Sequence, residues 1–402
     1  QLCFTVSEQM YPNKLRIHSV DILRGVVMII MALDHVRDFF HAQAMVQDPT
    51  DMATTTPVVF FTRWITHFCA PVFVFLSGIS ACIAGERKTK KELSNFLIKR
   101  GLWLVLAEIV VITFALSFDP LYNIIFLQVI WAIGFSMIIL GLMVRTRVSV
   151  IIALGCLLFF GHNIFDYIRL PDVGIGNHLL KIFIADPRAF IPLGAGRLLI
   201  TFYTALPWTG VMLLGYAFGY LYHSTADVGK RKKILFNTGI TLIALFIILR
   251  FINSYGDPSP WSHQKNALYT FLSFLNTTKY PPSLLYCVMT LGPALLFLSL
   301  TENANGKLSK ICMVYGRVPF FYYVLHFYIL HTLCMILFFA TGYTADQIRD
   351  PNVPFLFRPA TFGFDLWIVY VIWFLLVAAL YKPCKWFGKY KAAHRQWWLS
   401  YV

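Results

Sequence analysis

The chain has 402 residues, 58% of them hydrophobic and only 13% charged, and a net charge of +15 at pH 7. That balance excludes a soluble multidomain enzyme and describes a polytopic membrane protein. The surplus Lys and Arg fall in short clusters between apolar runs, the pattern of cytoplasmic loops and not of a nucleic-acid footprint, so no nucleic-acid partner is expected.

Residues 1–16 are polar and lack the apolar core of a cleavable leader, so the first apolar run is expected to direct insertion. Runs long enough to cross a bilayer predict spans near 18–40, 58–84, 94–116, 122–144, 149–168, 199–222, 233–252, 282–300, 317–340 and 365–381. Basic residues recur at every second loop, including Arg87 to Lys91, Arg145 and Arg147, Lys230 to Lys233, Lys307 and Lys310, and Lys382 to Arg395. The expected fold is therefore an all-α membrane bundle of about ten helices in a single domain over 1–402, with both termini cytoplasmic.

The first span, RIHSVDILRGVVMIIMALDHVRDFFH at 16–41, is unusual because Asp21, Arg24, Asp34, His35, Arg37 and Asp38 lie in or beside it. Ionisable groups inside a membrane helix are expensive and mark a functional candidate. Arg24 and His35 are eleven residues apart, so a helix sets them roughly 16 Å apart along its axis and on nearly the same face. An arginine at the inner end suits a phosphate, and a histidine at the outer end suits proton exchange, with Asp34 beside it and Asp38, one turn beyond, expected to orient its ring. The plainer alternative pairs Asp21 with Arg24 and Asp34 with Arg37, each at i,i+3, so that the charges neutralise one another.

In the second span Arg63 and His67 stand one turn apart in the outer half, at the expected depth of His35. His67 is a second catalytic candidate and Arg63 a substrate contact, set against a snorkelling arginine and a structural histidine. Pro71 predicts a kink, and Ser77 with Gly78 a close helix contact, as does GYAFG at 215–219. Glu108 in the third span is expected to meet a buried cation. The loops 41–57, 169–198 and 253–281 are rich in turn residues and read as an outer cap or mouth. Within them LLKIFIA and ALYTFLSFL are too short to span and are expected in the membrane interface. Lys279, in the rigid Lys279-Tyr280-Pro281-Pro282 stretch, joins the substrate-binding candidates. The ninth span adds Tyr322 and His326, one turn apart, to those candidates, and also holds His331.

The eight cysteines lie mostly inside apolar spans without ligand spacing, so they read as packing residues and no metal site is expected. A phosphate-binding glycine loop, His-Glu-x-x-His and Gly-x-Ser-x-Gly are all absent from the sequence, which removes nucleotide hydrolysis, zinc proteolysis and ordinary serine-hydrolase chemistry.

SVDILRGVVMIIMALDHV at 19–36 followed by APVFVFLSGIS at 70–80 resembles the catalytic domain family of heparan-alpha-glucosaminide N-acetyltransferase. The same stretch is similar to integral-membrane acyltransferases that O-acetylate bacterial surface sugars, through an arginine, ten residues and a histidine, here Arg24 to His35. FLIKR at 96–100 and RVPFFYYVLH at 317–326 are similar to further motifs of that group. The resemblance implies acetyl-CoA or another acyl-CoA as cytoplasmic donor and transfer to a hydroxyl or amine of a sugar or glycan on the far side. It implies His35 as base or acyl carrier, and Arg24, Lys99 and Arg100 as donor contacts. The lipid bilayer is the remaining partner, a homodimer is left open, and a bacterial inner membrane is the expected location. A proton-coupled sugar transporter with His35, His67 and Asp34 as relay is the alternative the same charges permit.

Overall fold

The computed structural model describes residues 17–167, 174–184 and 189–401. It is mostly helical. In chain order the helices are α1 (His18–Phe40), α2 (Pro57–Thr66), α3 (Cys69–Gly85), α4 (Lys90–Ala107), α5 (Thr113–Ser117), α6 (Val129–Met143) and α7 (Val148–Gly161). They continue with α8 (Ile175–Phe183), α9 (Ala205–Gly219), α10 (Val228–Ile252), α11 (Ala267–Leu275), α12 (Leu284–Leu300), α13 (Lys307–Gly316), α14 (Pro319–Ala340) and α15 (Leu366–Ala393). The stretches Pro57–Gly85, Lys90–Ser117, Val148–Asp166, Val228–Ile252, Pro319–Ala340 and Leu366–Ala393 are long and apolar enough to cross a membrane. Their number and hydropathy mark an integral membrane protein.

The helix α1 has the length of a span, 23 residues, yet its charges set it apart from those apolar stretches. Protein surrounds it instead. It packs against α2, α3, α12, α13, α14 and α15, and its Val20, Leu23, Val27 and Met31 lie in the main apolar core. Asp21 in its first turn and Arg37 in its last complement the helix dipole. Its inner half meets α13 backbone to backbone: a Cβ on Gly25 would stand 1.8 Å from the Cys312 carbonyl oxygen, and one on Gly316 would stand 1.9 Å from that of Asp21. Only glycine permits that crossing, and it brings the Gly316 carbonyl to the Arg24 guanidinium at 3.1 Å. The predicted close contact of Ser77 and Gly78 also occurs, with the α3 backbone lying against Met212, Gly215 and Tyr216 of α9.

Three short strands depart from the all-α expectation. Strands β1 (Ile124–Leu127), β2 (Ala189–Gly194) and β3 (Arg197–Thr201) form a sheet in the order β1-β3-β2. β1 runs parallel to β3, pairing Ile124 with Leu198, whereas β2 and β3 form an antiparallel hairpin that pairs Phe190 with Ile200. The predicted span at 122–144 thus begins as a strand, because a short apolar run has the same composition in either state and only its partners decide. LLKIFIA overlaps α8 and continues beyond Ile184 outside the described residues, whereas ALYTFLSFL forms α11. The kink predicted near Pro71 is a break at His67–Phe68 that divides the second span into α2 and α3.

Candidate functional site

The outer end of α1 opens into a cavity of about 930 Å³. Asp34, His35, Arg37 and Asp38 form part of its lining, joined by Arg63 and His67 of the broken second span and by Lys279. Two of the loops predicted as a mouth, 41–57 and 253–281, contribute walls, and so do Pro354 and Phe355, which belong to no sequence motif. Gln128, Tyr203 and Tyr280 complete the lining close to the histidines. These uncharged residues carry no pattern that periodicity singles out.

Two buried arginines hold the walls by their carbonyls. Arg250, 1% exposed at the end of α10, donates to the carbonyl oxygens of Phe274 (2.9 Å), Ser259 (3.0 Å), Ser273 (3.0 Å) and Asn276 (2.5 Å). Arg358, fully buried, donates to His41 O at 2.7 Å and Asp38 O at 3.3 Å, closing the carbonyl end of α1, and also to Phe362 O. A guanidinium supplies five donors in a rigid plane, so one side chain satisfies several buried acceptors. Replacing Arg250 by Met strands four carbonyls, each hydrogen bond to a charged donor being worth about 1.5–3 kcal/mol. The expected result is a lower melting temperature and faster proteolytic nicking within 253–281, read by limited proteolysis in detergent. Wild-type nicking rates would contradict this account.

Inside the cavity the charges form one network. Asp34 receives the Arg63 guanidinium, stands 3.2 Å from Arg37 and lies 3.8 Å from Lys279. Asp38 takes Arg37 at 2.6 Å. The Asp34–Arg37 pair expected from i,i+3 spacing is therefore present, but two cations from other parts of the chain converge on the same carboxylate. Arg63 turns inward and does not snorkel. The Lys279 ammonium also sits 5.1 Å from the Tyr280 ring centre. Burial opposes ionisation of the Tyr280 phenol, yet Lys279 and Arg63 beside it draw its pKa below the usual phenol value. At the rim, burial and the neighbouring Arg37 and Arg358 lower the His41 pKa.

The histidines differ in setting. His35 is half-buried and its Nδ1 lies 2.7 Å from His326 Nε2, while its ring stacks on Phe327 with centroids 4.3 Å apart. Asp38 binds Arg37 and makes no hydrogen bond to the His35 ring among the described residues, contrary to the expectation that it orients it. His67 lines the cavity at the break between α2 and α3; its carbonyl accepts Tyr286 Oη at 2.8 Å, and its Nδ1 is buried without a partner among the described residues. Tyr322 and His326 are fully buried behind His35 and do not line the cavity. His331 ties α14 to its surroundings through Ala115 O at 3.0 Å and Leu356 O at 2.8 Å.

The inner end of α1 carries a second, smaller group. Arg24 holds Asp21 at 3.1 Å and Ser80 at 2.8 Å, and Arg317 stands 3.8 Å from Asp21. Arg100 lies within electrostatic reach of Arg24 and keeps its Nε buried and unpartnered among the described residues, whereas Lys99 is exposed. Glu108 meets no cation among the described residues; its carboxylate caps α6 by accepting the Trp131 backbone N–H at 2.9 Å. A remote carboxylate at a helix start satisfies otherwise orphaned N–H groups and the helix dipole. Between the two groups Val27, Met28 and Met31 are buried side chains.

A family model described as heparan-alpha-glucosaminide N-acetyltransferase, catalytic, matches residues 16–250, more than half of the chain. The match takes in Arg24, His35, Arg63, His67, Lys99 and Arg100 and stops before Lys279, Tyr322 and His326. No curated protein matches the chain.

Proposed function

The chain belongs to the family of the heparan-alpha-glucosaminide N-acetyltransferase catalytic domain, and from that membership we propose a membrane acyltransferase that uses acyl-coenzyme A. The acceptor is a hydroxyl or amine of a sugar or glycan on the extracytoplasmic side of a bacterial inner membrane. The carrying observation is the polarity of α1: a cavity with His35, His67, Arg63 and Lys279 at one end, and a cationic group around Arg24 and Arg100 at the other. In this reading α1 is one of about ten spans, the termini are cytoplasmic, and Arg24, Arg100 and the exposed Lys99 receive the donor's phosphates.

The thioester then reaches toward His35 past Val27, Met28 and Met31. His35 removes the proton of the acceptor as its oxygen or nitrogen attacks the thioester carbonyl; the C–S bond breaks, and the leaving thiolate takes a proton from His35. His67, Arg63 and Lys279 hold the acceptor in the cavity. An acyl-histidine on His35 satisfies the same residues in two steps. Passing an acyl group through a packed bundle also spares the protein a pore for a highly charged carrier.

Titration of the purified protein with acetyl-CoA tests this. Wild-type protein binds it, and Arg24→Ala weakens binding about tenfold or more, the effect of one charge-assisted phosphate contact. No binding by the wild-type protein, together with no acyl transfer to any sugar, defeats the proposal.

A further inference from the structure

The pair behind the cavity assigns the proton positions on His35. His326, fully buried in α14, sets its Nδ1 3.1 Å from the Tyr322 carbonyl oxygen and its Nε2 2.7 Å from His35 Nδ1. A carbonyl oxygen only accepts, so His326 Nδ1 carries the hydrogen. No carboxylate contacts His326 among the described residues, so its imidazole is the neutral form and its Nε2 holds a lone pair. The hydrogen between the rings therefore belongs to His35 Nδ1. That leaves His35 Nε2 bare, with no competing hydrogen bond among the described residues. The ring cannot easily turn away, since Phe327 stacks on it and Tyr323 meets its edge with centroids 6.2 Å apart.

We propose that His326 is a positioning residue that holds His35 in the Nδ1–H tautomer and so presents Nε2 to the cavity as the basic nitrogen. The proposal rests on His35 being the base of the reaction proposed above. Its physical content is the choice of tautomer, because an unconstrained imidazole prefers its hydrogen on Nε2, the nitrogen that must here be free. The acceptor on His326 serves both states of His35: when Nε2 takes the acceptor's proton, the imidazolium still donates through Nδ1 to His326 Nε2. The arrangement parallels the carboxylate behind a catalytic histidine in hydrolase triads, where the second group sets tautomer and orientation without itself becoming protonated. A neutral imidazole that takes its own orientation from a backbone carbonyl performs that task here. Charge stabilisation is weaker than a carboxylate gives, so the expected contribution is smaller.

Two substitutions separate positioning from packing. H326F keeps an aromatic of similar bulk and removes the acceptor; H326Q restores an acceptor through its amide oxygen. H326F lowers kcat about a hundredfold, within the range of acid–base contributions, and leaves KM for acetyl-CoA unchanged. H326Q returns kcat to within about tenfold of wild type. The independent readout is the ¹⁵N spectrum of histidine-labelled protein in nanodiscs, with the His35 signal assigned by its loss in H35A. His35 is Nδ1–H in the wild-type protein and in H326Q, and shifts toward Nε2–H in H326F. An Nε2–H signal in the wild-type protein, an unchanged tautomer in H326F, or unchanged kcat in H326F overturns the proposal. Should H326F fail to fold, the wild-type spectrum and H326Q still decide it. Absence of any acyl transfer in wild type strikes down the reaction proposed for His35, whereas the spectrum judges the role of His326 on its own.

Discussion

His35→Ala removes acyl transfer by about a hundredfold to ten-thousandfold while the protein stays folded, with a melting temperature lowered only by the lost His326 hydrogen bond and Phe327 stack, and keeps its affinity for acetyl-CoA. That range is what a positioned acid–base group contributes, and a residual rate from binding alone remains. The separation of the readouts follows from geometry. His35 faces the cavity from a helix otherwise buried by protein, so truncation to Ala enlarges a space already open and leaves the packing of α1 against α13, α3 and α15 intact. In the proposed reading the donor's phosphates are held near the other end of the helix, by Arg24 three turns away and by Arg100 of α4. Turnover and binding in the purified variant check the result. An unfolded or aggregated His35→Ala protein would instead assign the residue a scaffolding role, and full activity would move the chemistry to His67.

Asp34→Asn is expected to have the largest effect on stability, about 3–5 kcal/mol, the penalty for breaking a buried charge pair and leaving its partner uncompensated. Arg63, Arg37 and Lys279 all converge on this carboxylate, and Asp38 relieves only Arg37. Asparagine keeps the shape and removes the charge, so cations from α1, α2 and the 253–281 loop face one another without an anion between them. A second substitution sharpens the test. Adding Lys279→Met to Asp34→Asn removes one uncompensated cation and should recover roughly 0.5–3 kcal/mol, the size of couplings between residues in one charge network. Thermal or denaturant unfolding of both variants in the same detergent measures it. Equal stability of Asp34→Asn and wild type would show that water, not Asp34, compensates these cations.

The same residues show how far a sequence carries such an argument. The i,i+3 pairs Asp21–Arg24 and Asp34–Arg37 were legible because helical spacing alone makes them neighbours, and both exist. The convergence of Arg63 and Lys279 on Asp34 was not, since it depends on where α2 and a distant loop come to rest. Asp38 was expected to orient His35; the ring is held by His326, 291 residues away. Glu108 was expected beside a cation and caps α6, a role that no local pattern distinguishes from ion pairing. Arg250, inside the predicted span 233–252, and Arg358 belong to no motif or spacing that marks them. Their carbonyl partners are backbone atoms, identical in every residue and silent in the sequence.

Composition and periodicity determined that the chain is a helical membrane protein and that α1 bears charges needing an explanation, because hydrophobic length and helical pitch are properties of contiguous residues. Tertiary structure alone decided which charges share one carboxylate, which loops enclose the cavity, where short strands replace helix, and which histidine nitrogen is left basic. Those outcomes depend on contacts between segments far apart in the chain, and the strength of an ion pair or hydrogen bond is set by distance and surroundings once those segments have met.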